Sequence, residues 1–311
     1  MASGSKKVIY AALIGNLLIA ITKFIAGGIT GSSAMFSEGV HSLVDTGNQG
    51  LLLLGLRRAG RAPDASHPYG YGKEVYFWSF VVAIMIFAVG SGVSLYEGIH
   101  RLLDPHPVAR PLVNYIVLAL AIVFEGVAWK MALSEFQAQK GKLGYLEAVR
   151  RGKDPTNFVV LFEDSAAMLG LLIALAGVAL GQITGNPIWD GVAATLIGII
   201  LALVAIWLAF ETKGLLIGES ARREVVEAIQ RLAGAADHVE AVGEVLTLHM
   251  GPNFILVNLN VGFADVSADE IEHSIAGLDR EIKYLFPEVK RVFIEAEAIS
   301  AKRGPRSIPR G

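Results

Sequence analysis

The stretch Ala34–Leu56, AMFSEGVHSLVDTGNQGLLLLGL, decides how the rest of the chain is read. It is long enough to cross a bilayer, since a spanning helix needs roughly 20 mostly apolar residues. Yet it carries Glu38, His41 and Asp45, with Asn48 and Gln49 just beyond. An ionisable side chain at mid-membrane costs about 2.5–3.5 kcal/mol on insertion scales, so it needs a partner or a purpose. His41 and Asp45 stand at i and i+4, one turn apart on one helix face, and Asn48 continues that face. An imidazole and a carboxylate so placed grip one cation from one side.

Outward from this segment, five more apolar runs of spanning length follow the same logic: Val8–Ile29, Tyr76–Tyr96, Leu112–Leu133, Val159–Leu180 and Ile188–Phe210. Met1 to Lys7 is short and polar and meets the first run with no small-residue cleavage site, so that run reads as a retained helix and not a signal peptide. The composition agrees. Of 311 residues, 53% are hydrophobic and only 18% charged, where a soluble domain carries about a quarter charged. The net charge of −2 gives no footing for a nucleic-acid partner. Cysteine is absent, which removes disulfides and thiolate sites and argues against a soft-metal centre.

Basic residues set the expected orientation, because they accumulate on the cytoplasmic side. Lys6 and Lys7 precede helix one; Arg57, Arg58, Arg61 and Lys73 lie between helices two and three. Lys140, Lys142, Arg150, Arg151 and Lys153 lie between four and five, and Lys213, Arg222 and Arg223 follow six. The opposite face has only Arg101 and Arg110. Both termini are therefore expected in the cytoplasm, and an Ala/Gly/Arg-rich chain without a transit peptide points to a bacterial inner (plasma) membrane.

After Lys213 the pattern changes. Ala221–Leu232 has helical periodicity, Val245–Met250 and Phe254–Val261 read as strands around the turn Gly251-Pro252-Asn253, Ser267–Leu285 as a helix with Ser267 at its N-cap, and Val289–Ala296 as a last strand. The order α-β-β-α-β suits a small two-layer domain. The expected fold is thus an α-helical membrane protein of six transmembrane helices with a cytoplasmic α+β, ferredoxin-like C-terminal domain. The expected division is 1–212 for transport, 213–300 for the cytoplasmic domain and 301–311 as a disordered tail, rich in Arg, Pro and Gly.

Other polar groups lie inside the apolar runs: Glu163 and Asp164 in helix five, Glu125 in four, Asp190 near one end of six, Asn16 and Lys23 in one. Asp164 closes a cation site opposite His41 and Asp45 in this reading. Val160, four residues before Asp164, offers no donor, so a fourth contact comes from Glu163, Asn48, Asn157, a backbone carbonyl or water. Glu125 and Asp190 read as packing or cavity-lining groups, and Lys23 as snorkelling or paired with one of these acids.

At these residues the chain resembles the cation diffusion facilitator family, from about Lys7 to Ala298. The resemblance is carried by Ser32-Ser33-Ala34 leading into Glu38-Gly39-Val40-His41-Ser42-Leu43-Val44-Asp45, by His67-Pro68-Tyr69-Gly70-Tyr71-Gly72-Lys73-Glu74, and by the α-β-β-α-β tail. Within the family, the runs His41 to Gly50, Leu161 to Ala167 and Ile183 to Pro187 are similar to the branch that includes the ninth mammalian zinc transporter. The resemblance implies a homodimer in membrane lipid that exports a divalent cation against inward proton movement, with the metal held between helices two and five. It also marks departures. Many members carry His or Asp where Val160 stands, leaving His41, Asp45 and Asp164 as the set. Zinc favours four tetrahedral ligands, whereas three hard ligands plus water or amide oxygen also accept Mn2+, Fe2+ or Co2+. In the helix two–three loop Asp64 and His67 remain, but Tyr71 stands where a second His often sits; His249 and His273 of the tail read as surface histidines.

The expected function is divalent metal efflux by alternating access, with Zn2+ first as cargo. Metal displaces protons because its ligands must be deprotonated, and His41 is the natural proton carrier. Rivals are a membrane scaffold or signalling protein that binds metal without moving it, and an intramembrane metalloenzyme with Glu163 as base; the chain has no His-Glu-x-x-His motif, so an enzyme is not expected.

Overall fold

The structure, a computed structural model, describes residues 3–141 and 143–297, without the side chains of residues 3–15, Gln139, Leu146, Arg150, Arg151 and Asn157. Lys142 and the expected disordered tail 301–311 lie outside the described residues. The chain divides into two compact units, Met1–Arg58 with Glu74–Lys213, and Ala59–Lys73 with Gly214–Gly311.

The first unit is helical: α1 (Ser3–Thr30), α2 (Ser33–Ala59), α3 (Glu74–Met85), a π-helical turn (Ile86–Ser91), α4 (Gly92–Leu103), α5 (Pro111–Lys140), the short α6 (Tyr145–Arg151), α7 (Pro155–Thr184) and α8 (Ile188–Ile217). Among the described residues, four stretches are apolar and long enough to span by composition alone: Glu74–Leu103, Pro111–Ala138, Phe158–Thr184 and Ile188–Ile217. The described apolar part of α1, Asn16–Thr30, is shorter. α2 falls short because of its polar run, and those polar residues are turned inward: Ser37, Glu38, His41, Ser42, Asp45 and Asn48 are all buried. Large apolar side chains on α5, among them Ile116, Leu120, Val123, Phe124 and Val127, point outward, as a lipid-facing surface requires.

Every spanning helix outruns the apolar stretch that announced it. α5, for instance, continues through Ser134-Glu135-Phe136-Gln137-Ala138-Gln139-Lys140, because the backbone keeps its hydrogen bonds wherever good helix formers follow the apolar run. α6 was not legible. It is short and polar, and is held by Tyr145, whose ring stacks on Phe136 and whose hydroxyl accepts from Gln137.

Small residues let the helices close on one another. A Cβ on Gly98 would fall 2.4 Å from Thr195 Oγ1, one on Gly198 within 2.7 Å of Leu95, and one on Gly177 within 2.6 Å of Ala193. These contacts seat α4 and α7 against α8.

At one end of the bundle Asp190, at the start of α8, caps α2 from outside: its carboxylate accepts the Ser33 N–H at 2.6 Å and the Ser32 hydroxyl. Arg101 of α4 lies 3.4 Å from the same carboxylate and donates to Gly31 O at 2.7 Å. Both side chains are buried. Asp190 is thus a packing group, as the sequence suggests, and it sits beside Arg101.

The second unit contains α9 (Arg223–Gly234), β1 (Val239–Gly251), β2 (Phe254–Phe263), α10 (Ala268–Leu285) and β3 (Val289–Ala296). The sheet order is β1-β2-β3, antiparallel for the first pair and parallel for the second. A parallel pair needs a crossover, and α10 supplies it. Ile229 of α9, Ile282 of α10, and Val257, Leu259 and Val261 of β2 form a fully buried core. Ser267 caps α10 in a reciprocal capping box with Glu270, matching the expectation. β1 begins six residues earlier than its apolar run suggests; the register shifts between Val239 and Val245 mark bulges that break the alternation there.

The helix two–three loop belongs to this unit. Gly72 meets the hairpin so closely that a Cβ would lie 2.4 Å from Met250 O. His249, read from sequence as a surface histidine, is 4% exposed, because its strand position turns it inward where its amide donates to Glu219 O at 2.9 Å.

Candidate metal site

α2 brings His41 and Asp45 onto one face, with His41 Nδ1 3.4 Å from Asp45 Oδ1. His41 is 1% exposed, and neither ring nitrogen has a hydrogen-bond partner; Asp45 Oδ1 also lacks one. A buried polar atom left unmatched costs about 1–3 kcal/mol. Three such atoms within one turn of helix mark a place where the fold holds donors ready for a ligand.

α7 faces this turn. Glu163 Oε1 accepts from Asn48 Nδ2 at 2.6 Å, tying α7 to α2. Glu163 also comes close enough to Asp45 for the two carboxyl groups to interact. Asp164 is buried as well. Among the described residues, however, no hydrogen bond or ion pair joins Asp164 to His41 or Asp45, and no three His, Asp or Glu side chains are gathered closely enough to hold a metal ion together. Asn157 sits in the first turn of α7, and its side chain lies outside the described ones. Val160 is half-buried.

The structure therefore joins His41 to Asp45 and Glu163 to Asn48, with Asp45 and Glu163 near one another, and leaves Asp164 beside Glu163 on the same helix. The sequence did not order these roles: Glu163 and Asp164 adjoin in the chain, and only packing decides which one reaches α2. Trp129 of α5 donates to Ser165 at 2.9 Å and fixes this part of α7 from the far side.

The loop acids do different work. Asp64 accepts the Ser66 and His67 amides at 2.9 and 2.8 Å and the Tyr71 hydroxyl at 2.6 Å. The Tyr71 hydroxyl, with the His67 amide next, holds its carboxyl below the usual carboxylate range. Its oxygens are engaged in shaping the loop.

The model of the cation efflux transmembrane domain matches residues 9–217, which takes in every helix named above that bears a site residue. The chain belongs to the cation efflux family. Among family relatives, it is 37% identical over 262 residues to the protein named proton-coupled zinc antiporter SLC30A9, mitochondrial, of Mus musculus, covering 84% of this chain and 46% of that protein. It is 36% identical over 219 residues to metal tolerance protein C4 of Arabidopsis thaliana, covering 70% of this chain and 48% of that one. It is 24% identical over 297 residues to the manganese efflux system protein MneP of Bacillus subtilis (strain 168), covering 93% and 95%. The chain spans about half the length of the first two relatives. It is a helical membrane protein of the cation efflux family with a C-terminal α+β domain.

Proposed function

We propose that this protein is a secondary transporter, not an enzyme, that exports a divalent metal cation in exchange for protons by alternating access. The observation that carries the reading is the buried His41, with neither ring nitrogen hydrogen-bonded, one turn from Asp45 on the helix that Asn48 ties to Glu163 of α7. Such a donor set, set among charges that cost energy in lipid, is made tolerable by a doubly charged ion or by protons.

In this mechanism His41 and Asp45 hold the ion from α2. Asp164 closes from α7, with Glu163, Asn48 or Asn157 completing the set. A proton held by these carboxyl groups is released as metal enters, because a ligand must give up its proton to bind. Movement of α2 against α7 exchanges access, and protons from the far side refill the carboxylates. The names of the relatives, zinc antiporter and manganese efflux protein, support Zn2+ as cargo with Mn2+ next, and oxygen-rich donors extend the range to Fe2+ and Co2+. We place residues 1–212 as the transport domain and 213–300 as a cytoplasmic domain that joins two protomers, with both termini in the cytoplasm of a bacterial plasma membrane. Val160 favours one rival, a scaffold that binds metal without moving it.

Proteoliposomes loaded with a metal-sensitive dye test both readings. Asp45→Ala and Asp164→Ala each abolish Zn2+ uptake while leaving folding intact. Normal uptake by Asp164→Ala removes α7 from the site, binding without flux selects the scaffold, and flux indifferent to a pH gradient ends the antiport claim.

A further inference from the structure

Glu38 stands outside the site just described, nearly one turn before His41 toward the N-terminal end of α2. It is fully buried, and so is Lys23 of α1, whose Nζ lies 3.0 Å from Glu38 Oε2 and donates to Ser42 Oγ at 2.7 Å. The other carboxylate oxygen, Glu38 Oε1, has no hydrogen-bond partner. It is turned toward Gly170 of α7, where a Cβ would fall 2.3 Å away. The carboxylate thus fills room that only glycine leaves, with one oxygen tied and the other free.

A pair kept only for stability has little reason to be ionic here. Apolar side chains of similar volume often replace a buried ion pair at no loss. Nor does a structural pair need an unmatched oxygen. What the arrangement does provide is an oxygen-donor pocket of Glu38 and Ser42, beside the His41–Asp45 turn, filled by an ammonium on a flexible stem. Hard oxygen donors of this kind suit a divalent cation as well as an ammonium.

We propose that Glu38 is a second cation station, reached from the His41–Asp45 site toward the N-terminal end of α2, and that Lys23 is its resident tethered cation. The inference rests on the transport reading above. While the ammonium sits on Glu38, its charge opposes the arrival of a divalent ion. An ion leaving the first site in that direction displaces Lys23 from Glu38, and Lys23 returns when the ion has gone, so one ion passes at a time.

The test is the number of Zn2+ ions bound per chain, by isothermal titration calorimetry on the purified full chain in detergent, each variant checked for helicity and monodispersity. Lys23→Met binds one more Zn2+ than the unmodified chain, and Lys23→Gln, which keeps a hydrogen-bonding end, does the same. Lys23→Arg leaves the number unchanged. Lys23→Met combined with Glu38→Gln returns it to the unmodified value. An unchanged number in Lys23→Met and Lys23→Gln overturns the station, and so does an extra ion that persists when Glu38 is also replaced. His41→Ala, measured in parallel, reports on the first site alone: loss of the unmodified chain's binding supports the transport reading, and the increment from Lys23→Met decides the station in either background.

Discussion

Replacing Asp190 by alanine tests the packing argument independently of transport. The substitution takes away the acceptor of the Ser33 N–H at 2.6 Å and of the Ser32 hydroxyl, and the counter-charge 3.4 Å from Arg101 Nε. Arg101 keeps its bond to Gly31 O but remains a charge in a nearly buried place. Breaking a buried ion pair from one side costs about 3–5 kcal/mol, since it leaves the other charge uncompensated. A lost N-terminal cap alone costs about 1 kcal/mol, and this overlaps with the first figure because one carboxylate serves both ends. For folded domains of this size each kcal/mol moves the midpoint by about 2–4 °C, so the expected drop is on the order of 10 °C. The assay is thermal unfolding of the full chain in detergent micelles, followed by circular dichroism. Adding Arg101→Met to Asp190→Ala recovers much of the loss, because no unpaired charge is then left. A melting point for Asp190→Ala within about 2 °C of the unmodified chain refutes the reasoning, as does a double variant whose loss is the sum of the two single ones.

Two further outcomes concern the second unit. Ile229→Ala opens a cavity under a fully buried α9 side chain, at a cost of about 2–5 kcal/mol; hydrogen exchange of the β2 amides accelerates accordingly, and unchanged protection removes α9 from the core. The Asp64 carboxyl, held low chiefly by the Tyr71 hydroxyl, contributes to loop order above the usual carboxylate range and loses that contribution as pH falls through its depressed value. Tyr71→Phe shifts the loss to higher pH. An NMR titration of Asp64 that is the same in both chains shows that the hydroxyl has no such role.

How much of this was readable in advance depends on the range of the forces involved. Six hydrophobic segments and the α-β-β-α-β tail could be read because apolar length and periodicity are local properties, and the Ser267 cap because its box spans three residues. The His41–Asp45 pair was equally local, being one turn of one helix. The choice of Glu163 over Asp164 as the residue bonded across to α2 depends on how α7 rotates against α2 and α5, which adjacency in the chain does not encode. Lys23 could be seen to need an acid, but several were within plausible reach, and only the packing of α1 on α2 selects Glu38. Asp190 capping a helix more than 150 residues earlier in the chain leaves no local trace at all.

The π-helical turn at Ile86–Ser91 has a consequence for how one span serves two neighbours. Each extra residue in a helical turn swings everything after it by roughly 100° about the axis, because 3.6 residues complete a circle. The half before the turn packs on α7, and the half after it presents Leu95, Gly98 and Arg101 to α8. A straight α-helix would have aimed one of these two sets into lipid. The wide turn thus lets a single span present one face to α7 in its first half and another to α8 in its second, which a run of uniform pitch could not do.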